Sequence, residues 1–122
     1  MKNNTTVIGK AGEAVVRAYL AEKGHEILET NWRFRKYEVD IISKSEDRIV
    51  FVEVKTRKSD TFGEPELFVD RKKQGFLIAA AHQYMTQHNI DLEARFDIAA
   101  VLQLNNSPIV KHLESAFYPT PK

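Results

Sequence analysis

The sequence predicts an α/β domain, a central mixed β-sheet flanked by helices, with elements in the order α-β-β-β-α-β-β. Three observations carry this expectation. Two segments, 10–23 and 70–88, repeat apolar residues at helical steps of three and four. Between and after them lie short runs of β-branched and aromatic residues, above all Ile49-Val50-Phe51-Val52. No internal repeat, low-complexity stretch or linker divides the chain, so 1–122 reads as a single domain whose ends, 1–7 and 117–122, are expected to fray.

Each element has its own signal. In the first helix, Ala11, Ala14, Val15, Ala18, Tyr19 and Leu20 form an apolar face, and Gly24 is placed to end it in a left-handed conformation. Ile27 and Leu28 open an extended segment toward Trp32 and Phe34. Tyr37 to Ile42 alternates around its acids as a strand, and residues 44–47 make a turn into Ile49 to Lys55. These two strands predict a hairpin, and the unbroken apolar run 49–52 predicts burial on both faces. Residues 58–66 are polar, hold Gly63 and Pro65, and read as a loop. Asp70 stands where it can cap the second helix or occupy its first turn; Phe76, Leu77, Ala80, Ala81 and Tyr84 supply that helix's apolar face. Ala94 to Leu102 is a further strand, Asn105 and Asn106 a turn, and Ile109-Val110 the start of a short last strand, expected at an edge.

Composition narrows the function classes. A chain of 122 residues with 43% hydrophobic and 29% charged residues is long and apolar enough to bury one core, which excludes disorder throughout. The absence of cysteine excludes disulfides, zinc-thiolate sites and iron–sulfur ligation by cysteine. No signal-peptide core and no run near the ~20 apolar residues of a membrane span is present, so a cytoplasmic protein with no membrane partner is expected. A net charge of +1 does not by itself mark a polyanion binder, but basic residues cluster locally at Arg33, Arg35 and Lys36, at Lys55, Arg57 and Lys58, and at Arg71, Lys72 and Lys73.

The chemistry-bearing feature is Glu53-Val54-Lys55. Alternate side chains of a strand share a face, so Glu53 and Lys55 point one way and Val52 and Val54 the other. An apolar strand rarely carries charge on a covered face unless the charge is paired or bound to a metal. Asp40 interrupts the neighbouring strand between Val39 and Ile41, 12 residues before Glu53. A hairpin turning at 44–47 sets Asp40 opposite roughly 51–53, with its carboxylate near that of Glu53. Two carboxylates so placed repel, and one acquires a raised pKa unless a cation lies between them. Oxygen ligands point to Mg²⁺ or Mn²⁺. Asp40 and Glu53 would hold the ion beside a scissile phosphate, and Lys55 would orient or deprotonate the attacking water or stabilise the transition state. Taken singly, each feature has an ordinary alternative: Glu-x-Lys as a surface ion pair, Asp40 as a turn residue.

Gly12-Glu13, Gly24, Asn31, Glu38-Val39-Asp40-Ile41-Ile42, Phe51-Val52-Glu53-Val54-Lys55-Thr56-Arg57, Phe62-Gly63, Lys72 and Arg95-Phe96-Asp97 together resemble the bacterial family UPF0102 (YraN-like), over about Gly9 to Leu113. That family in turn resembles the restriction-endonuclease-like superfamily and, within it, the archaeal Holliday-junction resolvases. The resemblance implies a nuclease fold. It carries the superfamily's Asp and Glu-x-Lys onto Asp40, Glu53 and Lys55, and a helical glutamate onto Glu13. Glu13 otherwise reads as a first-turn acid favoured by the helix dipole. One departure is Tyr37, where the family usually has Gly. It is expected to pack on its neighbours, with stacking on a base as the alternative.

Arg57, Lys72, Lys73, Arg35 and Lys36 are the candidate phosphate contacts, each also explicable as solvated surface charge. Glu38 is a candidate outer ligand or a partner of Arg35 or Lys36. Asp97 is expected to be structural or to support the site from behind, and the four histidines lack metal-ligand spacing. Three functions compete. The first is a Mg²⁺- or Mn²⁺-dependent nuclease on DNA, including branched DNA, which as a junction cutter would be a homodimer. The others are a non-catalytic nucleic-acid-binding module on the same fold and a structural or protein-interaction domain.

Overall fold

In the computed structural model the described residues are 2–57, 69–102 and 106–118, with side chains described from residue 8 onward. Two helices and five strands follow the expected order: α1 (Lys2–Glu22), β1 (Glu26–Phe34), β2 (Tyr37–Ser45), β3 (Arg48–Arg57), α2 (Arg71–Gln87), β4 (Glu93–Leu102) and β5 (Ile109–Phe117). The strands form one sheet in the order β1-β2-β3-β4-β5. Only β3 and β4 run parallel, and α2 lies in the connection between them. The other neighbours are antiparallel, so the sheet is mixed as expected.

Alternation along β3 explains the layering. Ile49 and Phe51 enter one apolar cluster with Leu77, Ala80, Ala81 and Tyr84 of α2, while Val50 and Val52 enter a second with Val16 and Leu20 of α1. One helix therefore covers each sheet face. Ile49 to Val52 are all at most 2% exposed, the two-sided burial that their apolar run predicts. The β2–β3 hairpin turns at Glu46-Asp47, with Ser45 opposite Arg48 and Glu46 at a left-handed φ of 58°.

The helix ends follow local chemistry. Gly24 takes φ +97°, and two bonds, His25 N–H to Leu20 O (2.9 Å) and Gly24 N–H to Ala21 O (3.0 Å), close α1 in a Schellman turn. Asp70 caps α2, its carboxylate accepting from Lys73 N–H at 2.8 Å. Three boundaries differ from expectation. α1 begins at Lys2, not 10, and takes in the backbone of residues 2–7. Ile8, the first residue of α1 whose side chain is described, is 44% exposed. β5 is nine residues long, not short, and forms a sheet edge. Its last residue, Phe117, expected at the frayed end, is buried and pairs with Phe96. The expected loop 58–66, Asn105 and the tail 119–122 lie outside the described residues. No described helix is long and apolar enough to cross a membrane.

Candidate functional site

The site lies where β1 and β2 break their alternation together. Val39 and Ile41, two residues apart, pack in opposite clusters, so β2 is irregular at Asp40. Asn31 falls at the same level of β1, between the pairs Thr30↔Ile41 and Trp32↔Val39, and has a left-handed φ of 53°. Asn tolerates this region better than most residues. The regular β2–β3 pairing reaches Ile41↔Val52 and stops. Beyond it the Asp40 carboxylate takes the place of a strand carbonyl and accepts from Val54 N–H at 2.8 Å.

Three other acids act on Asp40. Burial, then the charge of Glu53, push Asp40 up to about 7; Glu13 and Glu38 add to the rise, and the Val54 N–H bond opposes it. Glu13 comes from α1 and Glu38 from β2. Asn31 Nδ2 joins them, donating to Glu13 at 3.0 and 3.2 Å and to Glu38 at 3.0 Å. Glu53, with a side chain only 12% exposed, meets Lys73 Nζ of α2 at 3.3 Å. Lys55 lies two residues further along β3, on the strand face of Glu53. Among the described residues no group of three or more acids or histidines is arranged to hold a metal ion.

A cavity of about 310 Å³ opens beside Asp40, lined also by Arg33, Lys36, Tyr37, Lys73 and Phe76. Tyr37 stacks on Phe76 (centroids 4.4 Å apart, planes 18° apart) and touches Phe34, so it packs on its neighbours. Of the five candidate phosphate contacts, Lys36 and Lys73 reach this cavity. Arg35 lies over the Phe34 ring, Lys72 is exposed on α2, and Arg57 ends β3 half-buried. Glu38 pairs with Arg33 at 3.4 Å rather than with Arg35 or Lys36.

The sequence assigned no role to Asn31 or Gly12, and it offered Lys73 as a phosphate contact or solvated charge but not as the partner of Glu53. Asn31 had one usable signal, an Asn within a predicted strand, which suits a left-handed kink. Gly12 is buried where α1 crosses β3, and a β-carbon there would collide with Thr56 Oγ1. Asp97 belongs elsewhere. It lies on the α1 side of the sheet and accepts from Arg95 (2.9 and 2.8 Å), His112 Nε2 (2.7 Å) and Ser115 N–H (3.1 Å).

Comparison with known proteins matches residues 12–101 to a family described as "Uncharacterised protein family UPF0102". A UPF0102 protein of Parabacteroides distasonis is 44% identical, covering 91% of this chain and 92% of its own length. UPF0102 protein FP2501 of Flavobacterium psychrophilum is 46% identical, covering 91% and 93%. A UPF0102 protein of Geotalea daltonii is 40% identical, covering 95% and 93%.

Proposed function

The chain belongs to the UPF0102 family, and from that premise and the site geometry we propose that it is a metal-dependent endonuclease hydrolysing phosphodiester bonds in DNA, branched DNA included. This reading sets it among the restriction-endonuclease-like nucleases that its motif resembles. The observation that supports it most is the meeting of Asp40 and Glu53 where the β2–β3 ladder opens, with Lys55 two residues along the same strand. A carboxylate pressed by three others is a place where a cation relieves repulsion.

The donor set fits Mg²⁺ or Mn²⁺. Such ions accept one or two protein carboxylates when water and substrate phosphate complete the shell. Asp40 and Glu53 would supply these two oxygens. When bound, the ion supplies charge neutralisation at the phosphate and a water of lowered pKa. The chain's own groups do the rest. Val54 N–H fixes the Asp40 carboxylate. Lys55 either takes or orients the proton of the attacking water, or stabilises charge on the phosphoryl oxygens. Glu13, tied through Asn31, adds negative charge that favours the cation. Lys73 neutralises Glu53 in the absence of the ion and then becomes available to a phosphate. A symmetric cut across a branched junction would take two copies of the chain.

Lys73 also supports a second reading. Its ion pair with Glu53 partly satisfies the acid without a metal, as in a non-catalytic module that binds nucleic acid on the same fold. Single-turnover cleavage over single-stranded, duplex, flapped and three- and four-way DNA, with Mg²⁺ or Mn²⁺, separates the two. Wild-type cleavage that EDTA abolishes, and that Glu53→Ala lowers by about 100-fold or more while retaining the native fold, is the expected result. Cleavage equal in the variant removes Glu53 from the mechanism. DNA binding without cleavage, unchanged by EDTA and by the variant, establishes the binding module.

A further inference from the structure

The cavity beside Asp40 combines features that the cleavage site alone does not need. Its volume, about 310 Å³, is at the lower end of small-molecule pockets. Two aromatic rings line it: Tyr37 from the start of β2 and Phe76 from α2. They are stacked on each other and only partly buried, so each uses one face on its partner. Three cations, Arg33, Lys36 and Lys73, share the lining with two acids, Glu38 and the proposed metal ligand Asp40. Arg33 is 66% exposed and its pairing with Glu38 is long, at 3.4 Å, so it is held weakly enough to turn to another anion. Lys36 is exposed in the β1–β2 turn.

Aromatic rings with flanking cations match one chemistry, a nucleobase with phosphates on either side. In a duplex the base faces are hidden by stacking, so a recess walled by rings can take only a base that has left the stack. We propose that this cavity holds one unpaired nucleotide of the DNA strand, its base against the Tyr37–Phe76 pair and its flanking phosphates on Arg33 and Lys36. The inference rests on the nuclease reading for its placement beside the scissile phosphate, and it narrows the substrate to DNA bearing unpaired nucleotides. It also gives Tyr37 a task beyond packing.

The test is binding in EDTA, where metal-dependent cleavage does not occur. The probe is DNA carrying 2-aminopurine, either in a single-stranded segment or at the same position in a full duplex. The expected result is quenching and tight binding for the unpaired probe alone. Tyr37→Leu, which keeps apolar contact with Phe76, should abolish the quenching and weaken binding about tenfold, and Tyr37→Trp should retain both. Lys36→Ala should weaken binding and lessen its salt dependence. Thermal melting of each variant shows that the fold is intact. Equal affinity for duplex and unpaired probes, or a natively folded Tyr37→Leu that binds as wild type does, overturns the proposal. Quenching that depends on Tyr37 with no cleavage of any DNA sustains the pocket and removes the nuclease. Metal-dependent cleavage of full duplex as fast as of unpaired DNA sustains the nuclease and overturns the pocket.

Discussion

Asp40 is the residue at which the site's chemistry and the stability of the protein meet. Its carboxyl is raised from 3.8 to about 7 by burial and by Glu53, with Glu13 and Glu38 adding to the rise. Between those pH values the folded chain holds a proton that the unfolded chain has released, so this group's contribution falls as pH rises through the window. Asp40→Asn removes the titration and keeps an oxygen for Val54 N–H. In EDTA, urea unfolding should find the variant close to wild type near pH 4 and more stable at pH 8. The gain should approach about 1.4 kcal/mol for each pH unit between the two pKa values. An unchanged difference between pH 4 and pH 8 would place the proton on another group. This convergence was legible in the sequence, because a hairpin turning at 44–47 fixes which residues of its two strands face each other. The pairing of Glu53 with Lys73 was not legible. It joins β3 to the first turn of α2, and only the packing of that helix across the sheet brings the ammonium to the carboxylate.

At the scale of elements, α1 lies close against β3 at Gly12. Ala in place of Gly within a helix ordinarily stabilises by about 0.5–1 kcal/mol. Here the added methyl would strike Thr56 Oγ1, so Gly12→Ala is expected to destabilise by about 1–3 kcal/mol, the usual cost of overpacking. With Thr56→Ala in the same chain the colliding oxygen is gone and the remaining contact, to the β-carbon at 3.5 Å, is ordinary. The double variant should recover most of the loss, a non-additivity that denaturant titration measures directly. A single variant as stable as wild type would show that the helix does not need this approach. The elements themselves were legible wherever one face is apolar, as in β3 and the α2 stripe. They were not where burial is partial. β5 carries Lys111, His112 and Glu114 among its apolar residues, and Ser115 at a φ of 52° breaks its alternation, so only its first two residues read as strand. The kink shared by Asn31 and Asp40 was hidden for a related reason. A strand read by alternation is assumed regular, and here the irregularity opens the ladder at the site.

Across the whole molecule, Asp97 ties the α1 side of the sheet together from within β4. The pairing of β4 with β5 shifts between Phe96 and Ile98, and the left-handed Ser115 of β5 turns its N–H onto Asp97. His112 of β5 bridges Asp97 to the Tyr19 hydroxyl of α1, 3.1 Å from its Nδ1, so one carboxylate organises two strands and a helix. Burial pushes Asp97 up, but the hydrogen bonds from His112, Arg95 and Ser115 N–H outweigh it and hold the carboxyl below its ordinary value. The sign is opposite to that of Asp40. A depressed carboxyl contributes stability above its unfolded value of 3.8 and loses it as pH falls through the folded value. Asp97→Ala strips Arg95, whose side chain is 12% exposed, of its hydrogen-bonded carboxylate and leaves it the longer pairing with Glu114 at 3.8 Å, and should cost about 3 kcal/mol at pH 7. Asp97→Asn, which keeps the shape and loses the charge, should cost less at pH 7. Its difference from wild type should shrink as pH falls below about 4, where the unfolded wild-type chain takes up the proton while the folded carboxylate still resists it. A difference that persists undiminished at pH 2 would mean that shape, not the carboxylate charge, holds β4, β5 and α1 together. The molecule should then be weakened from both ends of the pH scale, by Asp97 in acid and by Asp40 toward neutrality. If the proposed metal site is right, a divalent cation should relieve the second effect and leave the first, because of these two carboxylates it is Asp40 that Glu53 presses upon.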